Sequence, residues 1–220
     1  MPTILASAVL TKVKTILQDT TNVRWADTEL LGWLNDGQRE IAMLRPDSTS
    51  KISSVQLVSG TKQAIPADGT SILKVIRNMG ASPGTTPGQA LRLIPMDLLD
   101  SNVPAWHSAT AAPVVLHYMT DQRMPRNFYV YPPATGTTFA EILYSAAPTD
   151  LTLVSSTIGV DDVYAGPLID YVAFRAYAKD QDMAGNTERA AAHRALFENV
   201  MGGKAQADGT VKPSQVNIKG

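Results

Sequence analysis

The chain has 220 residues and a net charge of −1, with 44% hydrophobic and 18% charged residues. That is enough apolar material to bury a core in one large or two small domains, and it excludes a disordered chain. The near-zero charge supplies no field to steer the protein to nucleic acid or an anionic membrane, and the absence of cysteine excludes disulfide frameworks and thiolate chemistry. No apolar run approaches the roughly 18 residues of a membrane helix. Nor does a basic segment followed by an apolar core open the chain, so a soluble protein, made and used without secretion, is expected.

Residues 3–18 are predicted to form an amphipathic helix with Leu5, Val9, Val13, Ile16 and Leu17 on one side. The cluster Asp19-Thr20-Thr21-Asn22 closes it as a turn. The next helix organises the chain. Asp27 stands where an N-cap belongs, and Leu30, Leu34, Ile41 and Leu44 draw one apolar stripe. Gly37 lies in this helix and costs about 1 kcal/mol against alanine, which predicts a close approach by another element. Pro46 ends the helix by pushing its predecessor out of the helical region. Asn35, Asp36, Gln38, Arg39 and Glu40 make the other face polar, so the helix needs a partner, and the chain offers three.

From residue 51 to 160 the chain is rich in Ser, Thr, Gly and Pro, and short apolar runs alternate with turn residues. Residues 51–58 and 61–65 flank Gly60 and suggest a hairpin. Further strands are predicted at 72–76, 91–94, 114–119, 128–131 and 139–146. Residues 80–88, with Pro83 and Pro87, form a flexible connection, and Pro132-Pro133 is expected to stop the strand before it. Helical pattern returns near Tyr164, where Pro167 suits a first turn. Ile169, Val172, Ala173 and Ala176 share a face up to about Asp182. Asn186 or Thr187 can cap a last helix through Val200, with Ala192, Leu196 and Val200 four apart. Gly202-Gly203 is expected to stop it. Residues 204–220 show no periodicity and are mildly basic.

The resulting expectation is an α+β fold. A four-helix bundle is made from N- and C-terminal helix pairs (1–50 and 161–203), a β-rich domain (51–160) is inserted between them, and an extended C-terminal arm (204–220) follows.

The chain shows no catalytic constellation and no cofactor or metal motif. His107, His117 and His193 lack helical metal spacing. Asp161-Asp162 and Asp180-Gln181-Asp182 suit helix ends. Gly202-Gly203-Lys204 fails as a phosphate loop, because Glu198 stands where glycine is required and Ala205 where Ser or Thr is required. Phe128-Tyr129-Val130-Tyr131 lacks nearby lysines, so core packing is preferred over base stacking.

The segment 25–47, with its core Trp25-x-Asp27-x-Glu29-Leu30-Leu31-x-Trp33-Leu34-Asn35-Asp36-Gly37-Gln38-Arg39-Glu40-Ile41, resembles the N-terminal region of head-to-tail adaptor (connector) proteins of short-tailed phages. Residues 60–69, Arg77-Asn78, Phe128–Pro133 and 171–182 extend the resemblance along nearly the whole chain. It implies a role similar to that of the tail tubular A protein of T7-like phages: a structural virion protein, not an enzyme, forming a homo-oligomeric ring, usually twelvefold, between portal and tail nozzle. Further implied partners are tail fibres; genomic DNA passes through during ejection without specific binding, and no membrane is involved. The location implied is the head–tail interface of the virion, with synthesis in the host bacterial cytoplasm. The polar arm suits portal docking, which singles out Lys204, Lys212, Val216, Ile218 and Lys219, and the acidic and amide face of the helix starting at Asp27 is the candidate for lining the channel. Two alternatives stay open: a tail-completion or stopper protein of another phage type, and an adaptor with cell-wall hydrolase activity, which would need a pair of carboxylates in a cleft.

Overall fold

The structure, a computed structural model, describes the backbone of residues 2–210 and the side chains of residues 2–203. It is a mixed α+β fold with five α-helices and two sheets among the described residues. The chain divides into two compact units: 1–48 with 148–220, and 49–147.

The first unit holds α1 (Ala6–Ile16), α2 (Asp27–Leu44), α4 (Ala165–Lys179) and α5 (Asn186–Thr210). Helix α4 packs against each of the other three. One core joins them: Val9, Leu10 and Val13 from α1, Leu30, Leu34 and Ile41 from α2, Leu168, Tyr171 and Val172 from α4, and Phe197 and Met201 from α5. Each fully buried leucine contributes about 1.5–3 kcal/mol relative to exposure. The glycine expected to admit a close neighbour does so. A Cβ on Gly37 would lie 2.8 Å from Cδ1 of Tyr171 and 3.1 Å from Cδ2 of Leu168, so α4 seats against bare backbone. Leu151, Ile158 and Val160 also lie in this core. Residues 148–160, placed with the strands by composition, therefore belong to the helical unit.

Three helical expectations need correction. Asp27 is the first residue of α2, not its cap; Ala26 occupies that position, and the Asp27 carboxylate pairs with Lys14 at 2.5 Å. On α5 the buried stripe is Ala190, Phe197 and Met201, whereas Leu196 and Val200 are half exposed. Phe197 buries the larger surface, packing its ring 5.4 Å from that of Tyr171, and so sets the rotation of the helix. Finally, α5 runs through Gly202-Gly203 to Thr210, so residues 204–210 are helical backbone instead of extended arm. Two glycines cost about 2 kcal/mol of propensity at most, and the Lys204-Ala205-Gln206-Ala207 sequence that follows strongly favours helix.

The second unit holds β1 (Ser50–Gln56), β2 (Gly60–Ala64), β3 (Gly69–Ala81), β4 (Arg92–Leu93), α3 (Met96–Asn102), β5 (His117–Thr120), β6 (Asn127–Ala134) and β7 (Thr138–Ala146). They form an antiparallel sheet ordered β1-β7-β3 and a second sheet ordered β2-β6-β5-β4, in which β4 and β5 run parallel. Val75 of β3, Ile142 of β7, Phe128 and Val130 of β6 and Tyr118 of β5 share one core, so both sheets bury a face in it. Helix α3, absent from the sequence expectation, seats Leu99 in a smaller cluster with Trp106 and Met119.

The predicted hairpin of 51–58 and 61–65 does not form: β1 pairs with β7 and β2 with β6. Between them the Gln63 side chain clips the turn. Its Oε1 accepts from Val58 N–H at 2.7 Å and its Nε2 donates to the carbonyls of Val58 and Gly60. Gly60 has φ +106°, a conformation that side chains rarely adopt. Pro132-Pro133 does not end β6 either. Register with β5 stops at Tyr131, and the register with β2 shifts between Gly60 and Lys62, so neither proline is asked for an N–H. The Pro133 carbonyl still accepts from Ala112.

Candidate assembly surfaces

The motif residues of α2 are where chemistry would be sought first, and nearly all of them act as clamps. Glu29 pairs with Lys179 of α4, and Glu40 pairs with Arg194 of α5 at 2.7 Å. Asn35 both donates to and accepts from the backbone of Leu151, at 3.0 and 2.8 Å. Gln38, 1% exposed, accepts from the Gly159 N–H, and Arg39 grips both oxygens of Asp150 at 2.6 Å. Trp25 and Trp33 meet edge to face, with the Lys179 ammonium 5.4 and 5.9 Å from their centroids. The amide face of α2 is thus covered by residues 150–159. Asp36 and Arg39 on the same helix keep their side chains about half exposed.

Two of the three histidines are similarly committed. His107 stacks on Trp106 at 3.7 Å between centroids and shares a 2.8 Å hydrogen bond with Thr61. His193 pairs with Asp170 at 2.9 Å and stacks on Tyr177, and His117 lies in β5. No group of three His, Cys, Asp or Glu residues that could hold a metal converges among the described residues. The aromatic run of β6 splits by alternation: Phe128 and Val130 enter the main sheet core, while Tyr129 and Tyr131 pack edge-on to Trp106.

Two carboxylates that composition could assign only to helix ends hold chain segments by their backbone. Asp19 accepts from the N–H groups of Val23, Arg24 and Trp25 at 2.8–2.9 Å. Burial opposes its charge, but the three backbone bonds outweigh it and hold the carboxyl below its ordinary value. Asp162 accepts from the Thr3 hydroxyl and from the N–H groups of Thr3 and Ile4; led by the hydroxyl, these bonds likewise lower its pKa.

Several large apolar side chains stay outside both cores. Val23, Met43 and Val163 are 87%, 79% and 67% exposed. At the C-terminal end of α4 a cleft of about 350 Å³ is lined by Leu17, Arg24, Trp25, Tyr177, Met183 and Arg189, among others. The sequence did not mark these side chains as exposed or as sharing a cleft, because exposure is decided by tertiary packing and not by composition. Of the residues singled out for portal docking, Lys204 lies in the helical backbone of α5; Lys212, Val216, Ile218 and Lys219 fall outside the described residues.

A family model described as the SU10 adaptor protein matches residues 5–216, nearly the whole chain. The chain belongs to the SU10 adaptor family. An SU10 adaptor is a phage structural protein and a component of the virion, and membership implies contacts with other virion proteins and self-association. No match was found among curated proteins. No described helix of this adaptor is long and apolar enough to cross a membrane.

Proposed function

We propose that this adaptor forms a twelvefold ring between the portal and the tail nozzle of a short-tailed phage, and that the ring is a conduit for DNA ejection. The observation that carries the reading is the family match over residues 5–216, taken with a motif helix most of whose polar side chains are committed to internal contacts. In this reading α1, α2, α4 and α5 act together as a four-helix bundle that supplies the ring wall, since unlike surfaces on identical copies can close a ring. A net charge of −1 suits a conduit. Phosphate contacts would give DNA a salt-dependent grip and slow its exit.

The C-terminal segment beyond Lys204, with Lys212, Val216, Ile218 and Lys219, docks on the portal in this reading. Its polar, mildly basic sequence suits a partner's surface better than this chain's own core. The full chain is expected to be retained on immobilised portal protein. A chain lacking residues 205–220 should keep its thermal transition, give up only the helical signal of residues 205–210, and lose retention. Retention of the truncated chain would overturn the assignment.

A further inference from the structure

Two exposed features sit at opposite ends of α4. Before its N-terminus, Val163 projects 67% exposed between the helix and Asp161-Asp162. Asp162 is committed to Thr3 and Ile4, whereas Asp161 is exposed and pairs with no cation among the described residues. After its C-terminus lies the cleft, with apolar walls from Leu17, Trp25 and Met183. There Arg24 is neutralised by Asp180. Arg189 is different: its guanidinium lies 5.7 Å over the Tyr177 ring and meets no carboxylate among the described residues. One end thus offers an apolar knob beside a spare anion, and the other a cleft of mixed polarity, with Leu17, Trp25 and Met183 in its wall beside a spare cation.

The 15 residues of α4 separate the two features by about 22 Å, at 1.5 Å per residue, so they cannot meet within one copy. We propose that the cleft receives Val163 of a second copy of this chain, with Asp161 of that copy facing Arg189. Charge complementarity selects this occupant. The contact joins unlike surfaces, so each copy keeps one free knob and one free cleft, and association propagates until a ring closes. The inference rests on the self-associating reading above and names the surfaces that carry it.

The chain lacks cysteine, which makes engineered thiols specific reporters. Val163→Cys and Met183→Cys chains, mixed and oxidised, should give a disulfide-linked heterodimer, and the double variant should give a ladder of multimers. Arg189→Glu should reduce the yield about tenfold, the effect of roughly 1.4 kcal/mol at an interface charge, and Asp161→Lys on the same background should restore it. Absence of the heterodimer, or a yield indifferent to Arg189→Glu, would overturn the proposal. If electron microscopy still shows rings of the unmodified chain, only this interface falls. If the chain stays monomeric at every concentration and on portal, the ring reading falls with it.

Discussion

Gly37 shows how one residue sets a packing distance. A Cβ there would meet the Tyr171 ring at 2.8 Å, and that ring is itself held by Phe174 and Phe197, at 6.0 and 5.4 Å between centroids. Gly37→Val should therefore cost about 2 kcal/mol through overpacking. Gly32 is the control: it is exposed on the same helix with nothing within 4 Å of a Cβ, and Gly32→Ala should stabilise by about 0.5–1 kcal/mol. Thermal melts should move down for the first and up for the second, by about 2–4 °C per kcal/mol in a chain of this size. Equal shifts would mean that close approach of α4 is not what Gly37 provides. Gly37 was legible in the sequence because a glycine inside an amphipathic helix weakens it unless a neighbour packs closely there. Gln38 and Asn78 were not: both are almost fully buried, yet a polar residue looks like a surface residue until its distant partner is known. Asn78 bonds the backbone of Gln89 and Val115, and nothing in the intervening sequence announces that.

At the scale of elements, the connection from α1 to α2 is set by a single carboxylate. Asp19 holds three successive N–H groups in place of a helix or strand partner. Its folded pKa lies below the ordinary 3.8, so its contribution is fully present above that value and is lost as pH falls through the lowered one. Asp19→Asn should lower the melting temperature at pH 7, and the gap from the parent chain should narrow below about pH 4. A gap that stays constant with pH would show that charge is not the cause. Helix positions were largely legible, since a period of 3.6 survives in α1, α2 and α4. Strand partners were not. The Gly60 turn resembles a hairpin in sequence, but the Gln63 side chain closes it while β1 and β2 leave for different sheets. Pro132-Pro133 resembles a strand end, but the shifted register removes the need for its N–H groups. The end of α5 is hidden from a glycine rule because helix propensity beyond Gly203 outweighs two glycines.

At the scale of the molecule, the described residues on either side of the β unit fold into one helical unit, and the β unit between them in sequence has its own core. The candidate site is the least legible part. Trp25, Tyr177 and Asp180 of the cleft lie in the motif stretches, but nothing in those stretches shows that they share a cleft, and the surfaces exist only once α4 has placed them at its two ends. Assembly is the central claim, and it is most directly tested by negative-stain microscopy of the purified chain with and without its portal. Closed rings of one stoichiometry seated on the portal are expected. Isolated monomers in both samples, with lytic activity on peptidoglycan, would contradict the claim and favour an enzyme.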